Sequence, residues 1–175
     1  MVTSYLSSKA ARWKAARHSV GARSGVKQMS ESDAEITSPP PENLAEGGCL
    51  CGAVRYRVTG APVARTLCHC VSCRRATGGV SVGWAVFDKK DFALLSGDVR
   101  EYSSSPGIYW GSCATCGSLV TYHRDTRPDH HDITTATLDD PDAFPPTAEI
   151  WVGEKIAWET LNPALPHKLR STLNE

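Results

Sequence analysis

Seven cysteines fall into three tight groups. "GGCLCG" carries Cys49 and Cys51, "CHCVSC" carries Cys68, Cys70 and Cys73, and "CATCG" carries Cys113 and Cys116. Clustering of this kind is hard to obtain from cysteines that act only as small buried hydrophobes. A structural zinc takes four ligands in a tetrahedron, at about 2.3 Å when they are sulfur, commonly two from each of two tight turns. The first and third groups supply two each. Both end in Cys-Gly, at Cys51-Gly52 and Cys116-Gly117, where glycine permits φ > 0 and is expected to aim an N–H at a thiolate. Cys49, Cys51, Cys113 and Cys116 can therefore form a closed site, leaving Cys68, Cys70 and Cys73 as a second set.

Three protein ligands with an open fourth position is how zinc is held when it must bind water or substrate. The triplet lacks the Cys-Gly ending and runs directly into Arg74 and Arg75. Cations there would ease ionisation of the thiols and could contact an anionic substrate. Other partitions stay open on sequence alone. Cys68 or Cys73 could join the "CATC" turn, His69 could be a ligand, and Arg74 and Arg75 could belong to a solvated loop. His123, His130 and His131 are expected at surface or loop positions.

The elements that must position these groups read as short strands. "VRYRV" (54–58) alternates Val54, Tyr56 and Val58 with Arg55 and Arg57, the period of a half-buried strand. Further candidates are 84–87, 92–95, 99–103, 107–111, 118–123, 132–138 and 148–152, most of them separated by Gly, Pro, Asp or Ser. No window from 47 to 152 offers a helical stripe ten residues long. The fold class is all-β, followed by an irregular or briefly helical cover, "EKIAWETLNPALPHKL", broken at Pro163 and Pro166.

At 175 residues and 41% hydrophobic, the chain suits one domain with a tail. Its apolar runs are too short to span a bilayer, and its opening residues lack a continuous secretory h-region. Clustered thiols in a reducing compartment are more often metal ligands than disulfides, which favours a cytoplasmic location. The zero net charge hides an asymmetry: residues 1–30 hold six of the 19 Lys and Arg and none of the 19 acids. That stretch reads as a basic extension, disordered or targeting, and mitochondrial if 1–28 is a transit segment, although Met29 is an alternative start. Residues 31–46, acidic and with three successive prolines, read as a linker, 47–168 as the zinc-binding domain and 169–175 as a tail.

The strings "GGCLCGAVRYRV", "CHCVSCRRATGG", "GSCATCGSLVTYH" and "EIWVGEKIAWETL" together resemble the glutathione-dependent formaldehyde-activating enzyme family, which shares its domain with centromere protein V. The resemblance covers about residues 45–166. It implies an all-β Mss4-like fold of short antiparallel strands stapled by two zinc ions. The structural ion would sit on Cys49, Cys51, Cys113 and Cys116, and the catalytic ion on Cys68, Cys70 and Cys73. The implied reaction is reversible addition of a glutathione-like thiol to a small aldehyde such as formaldehyde, a carbon–sulfur lyase chemistry, with Arg74 and Arg75 as substrate contacts. The sequence departs from the family pattern at Glu149, where a histidine often precedes the "IW" pair, a change that could alter pocket charge. The alternative is a zinc-stabilised binding module of the centromere protein V type without catalysis, and a third reading is redox sensing by the triplet. From residue 31 onward 13 basic residues face 19 acidic ones, so the folded domain is poorly suited to coating nucleic-acid phosphates. The expected partners are a small thiol and aldehyde, with no membrane; the oligomeric state is left open.

Overall fold

The computed structural model describes residues 44–171. The expectations for the basic extension, for linker residues 31–43 and for tail residues 172–175 lie outside that span. Eleven strands form two sheets among the described residues. β1 (Leu44–Gly48), β2 (Arg55–Thr59) and β5 (Phe92–Ser96) make a three-stranded antiparallel sheet. The larger sheet has the order β11 (His167–Lys168), β10 (Ala148–Ile150), β3 (Ala64–Cys68), β4 (Val82–Asp88), β9 (His130–Thr134), β8 (Leu119–Arg124), β7 (Ile108–Cys113), β6 (Val99–Ser105). Its pairs are antiparallel except those that β10 makes with β3 and β11, which are parallel. One α-helix, α1 (Val71–Thr77), interrupts the β structure between β3 and β4. The all-β expectation holds, and β1 begins at Leu44, inside the stretch read as a linker, because Gly47 and Gly48 need partners in β2.

The alternation in "VRYRV" works as expected. Tyr56 and Val58 are buried, while Arg55 bonds Asp139 at 2.8 Å and Arg57 bonds Glu46 at 2.7 Å on the other face. Two apolar clusters result. The larger gathers Val54, Tyr56, Phe87, Val120, Ile133 and Phe144 and includes Cys49 and Cys113. The smaller gathers Val82, Trp84, Trp110 and Ile150 around Cys68 and Cys73. Each thiol group is thus built into a separate patch of core.

Two expected strands are shorter than their sequence suggests. The segment 132–138 leaves the sheet at Thr134 and continues as a 3₁₀ turn over Thr135–Thr137, where the Thr137 hydroxyl donates to the Thr134 carbonyl at 2.8 Å. The segment 148–152 stops at Ile150 because Trp151 takes φ = 58°, a left-handed backbone that a strand cannot accommodate. The cover after Lys155 has no regular helix and returns as β11 after Pro166.

The three histidines expected at surface or loop positions lie on strands and are partly exposed, His123 on β8 and His130 and His131 on β9. His131 stacks on Phe92 (ring centroids 4.8 Å apart) and lies 5.3 Å from His123, with neither ring nitrogen hydrogen-bonded. Burial, with the neighbouring His123 and Lys89 adding to it, pushes the His131 imidazole down to about 4 from 6.5. The unfolded chain binds a proton near pH 6.5 that the folded one refuses. The contribution of this residue is therefore full above pH 6.5 and is lost as pH falls from there toward 4, up to about 3 kcal/mol. Thermal melts across that range should show this loss in the wild type and a smaller loss in His131→Phe; equal acid sensitivity in the two proteins would refute it.

Candidate metal centres and the cavity beside one of them

Two tight turns present the four-cysteine group. Cys49 and Cys51 sit in the turn after β1, while Cys113 ends β7 and Cys116 lies in the turn that follows it. Each turn closes on its glycine but over a different span: the Gly52 N–H donates to the Cys49 carbonyl three residues back at 3.0 Å, and the Gly117 N–H to the Cys113 carbonyl four residues back at 2.9 Å. Both glycines have positive φ, 78° and 75°, as the Cys-Gly endings require. Their N–H groups close the turns rather than meeting sulfur; the Cys49 sulfur instead accepts from the Val54 N–H at 3.2 Å.

The four Sγ atoms all lie within 4.8 Å of one another. Cys49 and Cys51 sulfurs are 3.4 Å apart, Cys51 and Cys113 sulfurs 3.9 Å. These are too long for disulfides, which need about 2.05 Å. They match the edge of a tetrahedron with sulfur at about 2.3 Å from its centre, roughly 3.8 Å. The donor set fits a metal ion and is consistent with zinc.

The triplet is assembled differently. Cys68 ends β3, Cys70 is the N-cap of α1, and Cys73 lies in its first turn, with the Cys70 sulfur accepting the Cys73 N–H at 3.3 Å. Their Sγ atoms also lie within 4.8 Å of one another. The Trp84 indole N–H donates to the Cys73 sulfur at 3.4 Å. Hydrogen bonds from Cys68 and Cys73 draw the Cys70 thiol down to about 3. Hydrogen bonding with Cys70 and then Cys73, followed by burial, pushes Cys68 up. Cys73, favoured by Cys68 but opposed by the Cys70 sulfur and by burial, rises to about 12. Without a cation the three sulfurs thus oppose one another's ionisation. A divalent ion is what would let all three ionise together.

Of the alternatives open on sequence, the geometry keeps Cys68 and Cys73 with Cys70 and apart from the "CATC" turn. His69 turns away: its Nδ1 is 3.0 Å from Glu159 Oε2, and its Nε2 lies 3.2 Å from Glu149 Oε2, within ion-pair distance but off the line of a hydrogen bond. Glu149 is fully buried there, its other oxygen accepting from the Asn162 N–H at 2.8 Å. Glu149 therefore sits behind the cysteine loop and does not line the cavity described next.

A cavity of about 300 Å³ opens onto the triplet. Cys68, Cys70 and Cys73 line it together with the aromatic walls Trp84, Trp110, Tyr122 and Trp151, and Glu154, Arg124, Arg127 and Asp132 supply its charged groups. Neither Arg74 nor Arg75 is part of this lining. Arg74 spends its donors on the His69 carbonyl (3.3 Å) and the Glu154 carbonyl (3.1 Å), fastening the cysteine loop to the segment after β10, and Arg75 is exposed. The arginines in the cavity come from the end of β8 and the turn after it, where no cysteine flags them in the sequence; the Arg-x-x-Arg spacing of "HRDTRP" was the one available signal.

A closed four-cysteine cluster and an open three-cysteine cluster, set at two points of one β scaffold with a cavity at the second, define a class of metal-site β domain. The sequence profile for the glutathione-dependent formaldehyde-activating enzyme matches residues 44–154, more than half of the chain and inclusive of all seven cysteines, and the chain belongs to that family. The chain is also similar to the crystal structure of a Rhodobacter sphaeroides protein determined as a structural genomics target, with 25% identity and a TM-score of 0.46 over 54% of this chain and 87% of that one. No curated protein matches the chain. No helix among the described residues is long and apolar enough to cross a membrane.

Proposed function

We propose that this protein is a zinc-dependent carbon–sulfur lyase of the formaldehyde-activating type, joining a small thiol to a small aldehyde reversibly. The observation that carries this reading is the contrast between the clusters: four sulfurs packed around one point, and three that face a cavity large enough for a small ligand. Zinc held by Cys68, Cys70 and Cys73 would supply a soft Lewis acid with an affinity for thiolate and aldehyde oxygen.

In the forward direction the thiol sulfur forms a bond to the carbonyl carbon, the carbon–oxygen π bond breaks, and the thiol proton ends on the new hydroxyl. The chain's own residues organise this. Trp84 holds the Cys73 sulfur and walls the cavity. Arg74 anchors the cysteine loop. Glu154 lines the cavity beside the triplet, since its Oε2 accepts the Val71 N–H at 2.8 Å and Val71 follows Cys70 directly. Asp132, the other carboxylate of the lining, is occupied by Arg127 through both oxygens. Glu154 is thus the group placed to take the thiol proton and return it to the product oxygen.

Metal counting on the purified full chain, with a screen of thiols against formaldehyde for adduct formation, tests the reading; two zinc ions and no turnover with any thiol would favour the binding-module alternative. Glu154→Gln keeps an acceptor for the Val71 N–H while removing the base, so kcat should fall by about 10²- to 10⁴-fold with the melting temperature nearly unchanged. A variant as active as wild type would remove Glu154 from the mechanism.

A further inference from the structure

We infer that Tyr122 is a catalytic residue of the proposed reaction: its phenol hydroxyl donates a hydrogen bond to the aldehyde oxygen while the thiol sulfur attacks the carbonyl carbon. This rests on the reading of the cavity as the place where thiol and aldehyde meet, and it names a protein group for the oxygen, which that reading leaves without one.

Sheet register puts the ring on the cavity wall. Tyr122 lies on β8, paired with Trp110 of β7 on one side and Asp132 of β9 on the other, and all three line the cavity. Side chains directly opposite one another in a sheet share a face, so the three stand together. The Tyr122 ring meets Trp110 edge-on, with ring centroids 4.7 Å apart, and Trp84 at a tilt, 5.8 Å apart. Two indoles therefore hold the phenol ring in place. Trp84 also reaches the cysteine loop, since its N–H donates to the Cys73 sulfur at 3.4 Å. One indole thus spans the gap between the sulfur triplet and the phenol, and an adduct lying along it turns its sulfur to the first and its oxygen to the second.

The hydroxyl itself is unused by the protein. A half-buried tyrosine ordinarily gives its O–H a partner. This one makes no hydrogen bond with any described residue, and its oxygen is open to solvent rather than sealed in the core. Its neighbours in the wall are committed: the Trp84 N–H to Cys73, the Trp110 N–H to the Ser104 hydroxyl at 2.9 Å, Arg127 to Asp132 and Glu154 to the Val71 N–H. Thr66 brings a hydroxyl to the same cavity, but an aliphatic alcohol is a weaker acid than a phenol and so a weaker donor to an oxyanion. Burial raises the Tyr122 phenol above its ordinary value of 10, against the pull of Arg124, so the hydroxyl keeps its proton at neutral pH. A donor fixed before the reaction stabilises charge that appears only in the transition state, with no reorganisation needed. As the sulfur–carbon bond forms, the carbon–oxygen π pair moves onto oxygen. Tyr122 donates to that oxygen without releasing its proton, and the proton that ends there comes from the thiol through Glu154.

Tyr122→Phe removes the oxygen and keeps the ring between its two indoles. In the zinc-loaded full chain, kcat for adduct formation should fall by about 10²- to 10³-fold, the range for one oxyanion donor, with melting temperature and metal content unchanged. A second measurement needs no turnover. Thioacetate carries sulfur and oxygen on one carbon, as the adduct does, whereas ethanethiol offers the sulfur alone. In calorimetric titrations Tyr122→Phe should bind thioacetate about tenfold more weakly than the wild type and ethanethiol equally well. Site-specific replacement of Tyr122 by 3-fluorotyrosine, a stronger acid, should tighten thioacetate binding, and if Tyr122→Phe does not fold, the sign of that effect decides. Full turnover by Tyr122→Phe, or equal thioacetate binding by the two proteins, overturns the role of Tyr122 and leaves the reaction standing. An equal loss for ethanethiol makes the hydroxyl a packing contact and also overturns it. A zinc-loaded wild type that turns over no thiol–aldehyde pair overturns the reaction itself, and this role with it.

Discussion

Cys113→Ser is expected to abolish cooperative folding. Cys113 is buried at the end of β7 inside the larger apolar cluster, and its sulfur sits 3.9 Å from that of Cys51. Those two residues belong to turns that close different sheets, one at β1–β2 and the other at β7–β8. A metal ion held by both turns would cross-link the two sheets. Structural zinc in small folding units is worth about 10–16 kcal/mol at neutral pH, against about 5–15 kcal/mol for the whole stability of a typical domain. Removing one of four thiolates also places a hydroxyl in an apolar site, with no metal to repay its burial. Circular dichroism should show no sigmoidal thermal transition, and metal analysis should show the loss of both ions, because the triplet needs the folded sheet. A strong chelator should bring the wild type to the same state. A Cys113→Ser protein that melts near the wild-type temperature would deny the four-cysteine group its structural role.

Much of the scaffold was legible because its local chemistry repeats a simple period. Tyr56 and Val58 alternate with Arg55 and Arg57, and the structure puts the first pair in the core and the second on Glu46 and Asp139. The grouping of the cysteines was legible for a similar reason, since each Cys-Gly pair ends its turn on a glycine at positive φ. Elsewhere the determining contacts are distant in sequence. β3, with "ARTLC", shows little alternation because its place between β4 and β10 buries both faces unevenly, and nothing local announces it. β6 carries the right residue types but is exposed along nearly its whole length because it is the sheet edge. The end of the strand before Trp151 is set by a left-handed backbone that no glycine signals.

The same distinction explains the site. Arg74 and Arg75 adjoin the cysteines in sequence, yet α1 directs Arg74 to backbone carbonyls and leaves Arg75 exposed. Arg124 and Arg127 reach the cavity only because β8 pairs with β9 and β9 with β4, a chain of contacts that sequence spacing does not encode. Adjacency to a ligand marked the loop's anchor, and sheet register marked the cavity's charge.

Cys70→Ser is expected to give the opposite outcome to Cys113→Ser: a folded protein without activity. Cys70 is half-buried at the cavity, and its structural duty is to cap α1 by accepting the Cys73 N–H. Serine is among the preferred N-cap residues, so its hydroxyl can take over that bond and the helix start survives. What the hydroxyl cannot replace is a soft thiolate donor in a set of three. The second ion should then be weakly held or lost while the first remains, and metal content should fall from two equivalents toward one. Since Lewis-acid stabilisation by a bound metal is worth several kcal/mol, adduct formation should fall by about 10³-fold or more, with the melting temperature changed by only a few degrees. The comparison with Cys113→Ser is the decisive one. If both variants unfold to the same extent, the triplet is a second structural staple and the open-site reading fails; if Cys70→Ser keeps full turnover, the reaction does not run at these sulfurs.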